Sequence, residues 1–330
     1  MSRNNVSKDR LGQNAVALVL PLISAIISVA FFQMGGFFIL LFLVPLGVFA
    51  YGNSTKRAWI ACAAAVVGNT LVFLAALMLF HDHQAVDWSA FAWKGGSVGL
   101  VLVFWTWITS PPPQIRGFPT ANRIVVSGVV VFILFLFDVF RDYPAFLQQM
   151  ENSVKNAIDF TAASGIAGIE FDAIDVKDFV RITISFILNG AGLAVMMLFF
   201  AMNRQLSVLF ARLGKPVKAS RLADYYVEGW FIWLLIFAFV GAVFFRKTGV
   251  PAMEVVAWNM ATVCLFLYTA QGVGIVSYYL SKTARSPIVR LFQVLLVVIV
   301  IISPAINLFA CGGLLVLGIA ENWARLRKQR

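Results

Sequence analysis

The sequence predicts an all-α polytopic integral membrane protein, a helical bundle of about eight spans plus a short C-terminal helical hairpin. Three observations carry that expectation. Apolar residues make up 61% of the 330 and charged residues only 12%, against roughly 45–50% and about 25% in a soluble globular chain. The apolar residues gather in blocks long enough to cross about 30 Å of hydrocarbon as helices, which satisfy their own backbone polar groups there. The blocks are continuously apolar, whereas a transmembrane barrel would show short segments of period-two alternation.

The first block, 15–32, follows Arg3, Lys8 and Arg10 and imitates a signal peptide. No small-residue cleavage site follows it, and a second block, 37–52, begins after only Gln33, Met34, Gly35 and Gly36, so the pair is expected to be a retained helical hairpin. The third, 58–80, carries Ala61 and Ala65, then Ala64 and Gly68, at four-residue spacing, a seam that lets another helix approach closely. The fourth, 93–109, opens on Gly95-Gly96-Ser97-Val98-Gly99, a literal G-x-S-x-G pattern. That pattern works as a nucleophile only on a strand-to-helix turn with a histidine base, and no histidine lies in a later span, so small-residue packing accounts for it better. Pro111-Pro112-Pro113 ends the fourth span, and the fifth is 124–140.

From 143 to 180 the chain is amphipathic, with Leu147, Met150, Val154, Ala157, Ile158 and Thr161 recurring at helical steps. A helix on the outer membrane surface, or a lid over the spans, is expected there. The sixth block, 182–202, repeats the small-residue device with Gly190 and Ala194 and is expected to continue as helix to Leu213, where Gly214 and Pro216 stop it. The seventh and eighth blocks are 226–245 and 255–280. The last, 289–320, would be about 48 Å long as one helix, and Ser303-Pro304 interrupts it, so it is expected to fold as a shallow hairpin. The whole chain, 1–330, thus reads as one transmembrane domain with an amphipathic extracytoplasmic segment at 143–180 and a basic cytoplasmic loop at 203–225.

A net charge of +11 would suggest nucleic acid in a soluble protein, but its placement points to the bilayer. When loops are assigned to alternate sides, 19 of the 26 basic residues fall on one face, among them Lys56, Arg57, Arg116, Arg123, Arg204, Lys215, Lys218 and the tail from Arg325. That face is expected to be cytoplasmic, with both termini on it. Most acids, including Asp82, Asp87, Asp142, Glu151, Asp159 and Asp178, fall on the other. A basic inner face over anionic lipid explains the charge without a nucleic-acid partner.

Polar side chains at membrane depth are the candidate site, because each is costly unless paired or functional. Asn69, Asn189, Asn259, Gln271 and Asn307 are amides within apolar blocks, and Trp105, Trp107, Trp230 and Trp233 could wall a planar ligand. The substrate-binding set drawn from these is Asn69, Trp105, Asn189, Trp233, Asn259 and Gln271. The partner seam is Ala61, Ala65, Gly68, Gly190 and Ala194. His81-Asp82-His83 lacks further ligands at metal-site spacing, Cys62, Cys264 and Cys311 read as inert core residues, and no catalytic residue, metal or cofactor is assigned.

Two stretches carry a resemblance. Tyr268-Thr269-Ala270-Gln271-Gly272-Val273-Gly274-Ile275-Val276 and the ending Leu317-Gly318-Ile319-Ala320-Glu321-Asn322-Trp323-Ala324-Arg325 resemble the YybS-like family of bacterial membrane proteins, with Glu321 near the position of that family's terminal acid. The resemblance implies an uncharacterised activity and a distant similarity to the substrate-binding components of energy-coupling-factor vitamin transporters. The expected function is small-molecule binding or transport between the spans of a bacterial inner membrane, without enzymatic activity. The alternative is a scaffold for envelope-assembly machinery. Expected partners are the bilayer, a membrane protein and a small-molecule ligand.

Overall fold

The computed structural model describes residues 3–80, 88–115, 117–141, 143–163, 175–214, 222–283 and 304–327, and there is no β-strand among them. Five helical segments are long and apolar enough to cross a bilayer, and four shorter apolar ones, Val19–Met34, Gly36–Gly52, Gly95–Thr109 and Phe309–Ala324, accompany them. Their side chains confirm the solvent. Ile26, Met78, Phe137, Phe186, Phe237 and Val256 are exposed, and only 17% of the Phe231–Thr248 segment is buried, a surface that lipid tails and not water can cover. The chain forms two compact units, Met1–Val131 with Met197–Ser220 and Phe132–Met196 with Arg221–Arg330.

Unit one contains α1 (Arg3–Met34), α2 (Val44–Gly52), α3 (Thr55–Phe80), α4 (Trp88–Thr109), the first half of α5 (Thr120–Arg141) and the later part of α8 (Gly192–Gly214). Helices α1 and α3 run parallel. A Cβ on Gly68 would sit 3.3 Å from Val29, and the rings of Phe32 and Phe73 are 6.2 Å apart. Parallel neighbours require the intervening chain, 36–52, to travel back alongside them. It does not do so as the straight helix expected, however. A 3-10 turn at Gly36–Leu40 and a bend precede the nine residues of α2, and Gly35 and Gly36 take positive φ (66° and 52°) at the hairpin. The seam on α3 has its partner within the chain: Ala61 and Ala65 are fully buried and α1 and α4 pack beside them. The Gly95 to Gly99 pattern lies inside α4, in continuous helix and away from any strand-to-helix turn.

Unit two contains the rest of α5, α6 (Tyr143–Ala163), α7 (Val176–Phe186), a π-helical turn at Ile187–Ala191, the start of α8, α9 (Phe231–Thr248), α10 (Pro251–Thr283) and α11 (Pro304–Ala324). Residues 176–180, expected in the amphipathic segment, belong instead to a helical run continuous with the sixth span. The reason is local: the Asp175 carboxylate caps the backbone N–H groups of Lys177 (2.9 Å) and Asp178 (3.4 Å), fixing the helix start there. Helix α9 begins at Phe231, five residues later than expected, because 225–230 is held irregular by Gln271 from α10. It ends at Gly249, whose left-handed φ of 71° closes the helix. Of the last apolar block, Pro304 onward is α11, and the rest lies outside the described residues, as do His81 to His83, Ser164-Gly165 and the basic residues from Lys215 to Arg221. Cys62 and Cys264 are buried, but Cys311, expected in the core, is exposed.

Candidate functional site

A break in a membrane helix frees backbone carbonyls, and in hydrocarbon each must find a donor. Both units solve this with asparagine. In unit one the Nδ2 of Asn203 on α8 donates to the carbonyl of Leu40 (2.9 Å) at the end of the 3-10 turn, and also to its own Phe199 carbonyl (3.0 Å). Ser28 Oγ donates to Phe42 O (2.6 Å) and Ser207 Oγ to Val44 O (3.3 Å). Three side chains thus serve the three carbonyls around the bend. Gly47 completes the fit, since a Cβ there would collide with Ser207 and approach Trp105 Cζ2 to 2.7 Å.

In unit two the break is the π-turn, where Asn189 (φ −82°, ψ 34°) and Gly190 (φ 108°) leave helical geometry. A side chain at residue 190 would strike Thr262 of α10, so the position is restricted to glycine by conformation and by space. The Nδ2 of Asn259 on α10 donates to the freed Leu188 carbonyl (2.7 Å) and to Val255 O (2.8 Å). Those two acceptors fix which end of the amide is nitrogen. Its Oδ1, and the Oδ1 of Asn189 beside the break, are buried and accept no hydrogen bond. Buried polar groups are nearly always paired, and these two acceptors, like the Oδ1 of Asn203 at the first break, are not. They can take a ligand's N–H or O–H.

Of the six expected site residues, the structure brings only Asn189 and Asn259 to one place. Asn69 and Trp105 lie in unit one, both buried, Asn69 accepting from Gln33 Nε2 at 3.4 Å and Trp105 stacked on Phe200 at 6.3 Å. Trp233 is 63% exposed on α9 and faces outward instead of lining a cavity. Gln271 is committed to structure: its Oε1 accepts from Val227 N and its Nε2 donates to Gly318 O (3.0 Å). Gly190 of the expected seam meets Thr262 within the chain, and Ala194 is half-buried. The side chain of Asn307 lies outside the described residues.

Gln271 belongs to a clamp that joins the two stretches singled out in the sequence. Gly272 of α10 abuts the Leu314 carbonyl of α11, and Gly318 of α11 abuts the Tyr268 carbonyl of α10, so the backbones touch where a Cβ would clash. Asn322 Nδ2 donates to Tyr268 Oη (3.3 Å). Past the helix end, Arg325 turns left-handed (φ 42°), and Arg327 comes back to form a buried ion pair with Glu321 (3.0 Å) while donating to Ala223 O (2.7 Å). Burial pushes the nearby Tyr225 phenol well above its usual range, so it stays neutral.

Sequence reasoning missed Asn203 and the buried state of Arg123 and Arg204. Arg123 is 6% exposed and caps the end of α4, donating to Trp107 O (3.0 Å), Ile108 O (2.7 Å) and Thr120 Oγ1 (2.9 Å). Arg204 is 5% exposed and hydrogen-bonds the Tyr51 hydroxyl. An alternating-loop count reads such arginines as surface charge. For Arg204 the available signal was its position inside the expected sixth helix, next to Asn203 and one turn from Ser207, whereas Arg123 stood one residue before the expected fifth block.

Apolar helices with lipid-type surfaces, broken and re-paired internally, define a multi-pass helical membrane protein. Residues 113–318, well over half of the chain, match DUF2232, described as a predicted membrane protein family. The chain belongs to that family. No curated protein and no solved structure matches it.

Proposed function

We propose that the protein binds a small polar solute between its spans and moves it across a bacterial inner membrane. One observation carries this reading: the break at Ile187–Ala191, where two buried amide oxygens, Asn189 Oδ1 and Asn259 Oδ1, lack donors. Transporters commonly build midplane sites at discontinuous helices, because only there are polar groups available to a ligand at membrane depth. The ligand class that fits is a solute with N–H or O–H donors, taken up without a covalent step. The YybS-like resemblance, with its distant similarity to vitamin-binding transporter components, is compatible with such a ligand. The proposed orientation keeps both termini and the basic loops cytoplasmic.

The test is a thermal-shift and native mass spectrometry screen of the purified full chain against vitamins, nucleobases and lipids. A binder is expected to stabilise the wild type and to lose most of that effect with Asn189→Leu. Absence of binding across the panel, or unchanged binding in the variant, refutes the reading. The scaffold alternative has less support, since Ala61, Ala65, Gly68 and Gly190 already face helices of the same chain.

A further inference from the structure

Unit one holds twelve Lys and Arg against three Asp (Asp9, Asp82 and Asp87) and no Glu. Two of those arginines are buried. Taking a guanidinium out of water costs several kcal/mol unless an opposite charge faces it, and the three acceptors of Arg123 are two carbonyls and a hydroxyl, all neutral. The ionisable groups whose fields reach it are the Tyr51 phenol and Arg204, the second of the same sign. Its Nε remains without an acceptor, and so does the indole Nε1 of Trp105, which is fully buried. Trp105 precedes by less than a turn the two carbonyls that Arg123 grips, and its ring rests on Phe200, one turn from Arg204. Donors and positive charge therefore gather where α2, α4, α5 and α8 meet.

The geometry points to a phosphate-binding site in unit one, built from Arg123, Arg204 and Trp105, that takes the phosphate of a lipid headgroup or free phosphate. A tetrahedral oxyanion fits because guanidinium forks pair with two oxygens at once while the indole N–H serves a third. The site lies where α2 and α4 end and α5 begins, with exposed Lys56 and Arg57 just beyond, a setting in which basic clusters between helices hold acidic headgroups. It is separate from the proposed solute site and stands or falls without it.

The experiment uses the full-length protein, delipidated in neutral detergent. It is titrated with inorganic phosphate, with phosphatidic acid, and with diacylglycerol of the same chains, followed by melting temperature and native mass spectrometry. Phosphatidic acid is expected to stabilise the protein and remain bound in the gas phase, while diacylglycerol does neither. A matching effect of inorganic phosphate assigns the site to the free anion, and its failure beside success of the lipid assigns it to the headgroup. Trp105→Phe keeps an aromatic ring against Phe200 but removes the N–H together with part of the buried indole, so the unliganded protein should melt somewhat lower, and the affinity for phosphatidic acid, measured on the folded variant, should fall roughly tenfold or more. Arg204→Gln should abolish binding, and if it does not fold, Trp105→Phe decides. No response of the wild type to either phosphate compound, equal stabilisation by diacylglycerol, or wild-type affinity in Trp105→Phe overturns the proposal.

Discussion

Replacing Gln271 by Met tests whether the α10–α11 clamp holds the irregular segment before α9. Methionine has nearly the same length and volume, so the cavity term is small and the change is chiefly the loss of two hydrogen bonds. They are not equivalent. Gly318 O lies inside α11, where helical pairing already uses one of its lone pairs, and an under-used carbonyl is tolerated. Val227 N–H lies in 225–230, outside any helix, and is buried with Gln271 Oε1 as its acceptor. Orphaning that donor costs about 1–3 kcal/mol, which corresponds to roughly 5- to 150-fold faster local opening. Hydrogen–deuterium exchange of the purified protein in detergent should show this increase in peptides covering Tyr225 to Glu228, with little change in α3 or α4. Unchanged exchange there, in a protein that still melts cooperatively, would refute the assignment of Gln271 as the strap that delays α9 to Phe231.

Other outcomes follow from the same geometry. Arg327→Met or Glu321→Gln alone should each destabilise by about 3–5 kcal/mol, because each strands a buried partner; the double replacement should lose less than the sum, which a double-mutant cycle of detergent melting would measure. Gly318→Val should separate α10 from α11 and lower the melting temperature more than Gly313→Val, where a Cβ meets open space, and equal effects would remove the backbone contact from the account. Asn203→Leu should release the Leu40 carbonyl at a cost of about 1–3 kcal/mol, and a melting temperature equal to the wild type would show that another donor replaces it.

Long apolar blocks were legible because hydrocarbon leaves the backbone only one economical local solution. The breaks were not, since Leu41, Phe42 and Leu43 look like any spanning residues and the bend is fixed by Ser28, Asn203 and Ser207, two of them some 160 positions away in sequence. Asn189 and Asn259 were legible as costly amides, but hydropathy carries no information on which amide reaches which. Gln271 shows the opposite outcome: the same cost that flags a residue as functional is met by two backbone partners. Trp233 reads in sequence like a pocket wall, and only packing reveals that its helix presents it to the surroundings. Arginine was the weakest point, because the positive-inside rule counts charges without regard to depth, whereas Arg123 and Arg204 are buried inside the fold.

Topology gives the last prediction, and the broken second crossing decides it. Were 36–52 only a surface excursion, four crossings would precede α6 and place it on the same side as the N-terminus. The parallel packing of α1 and α3, with Val29 against Gly68 and Phe32 against Phe73, requires the chain to return between them. Five crossings then separate α6 from the basic N-terminus, so α6 should lie outside, in keeping with its acids Glu151 and Asp159 and with the bias that keeps Lys and Arg inside. Single cysteines at Ser153, Ser220 and Gln329, in a chain with Cys62, Cys264 and Cys311 replaced by Ala, can be challenged in intact cells with an impermeant maleimide. Ser153 is exposed on α6 and should label, while Ser220 and Gln329 should label only after permeabilisation. Protection at Ser153 together with labelling at Ser220 would mean that 36–52 does not cross, and labelling at Gln329 in addition to Ser153 would mean that 289–320 crosses once.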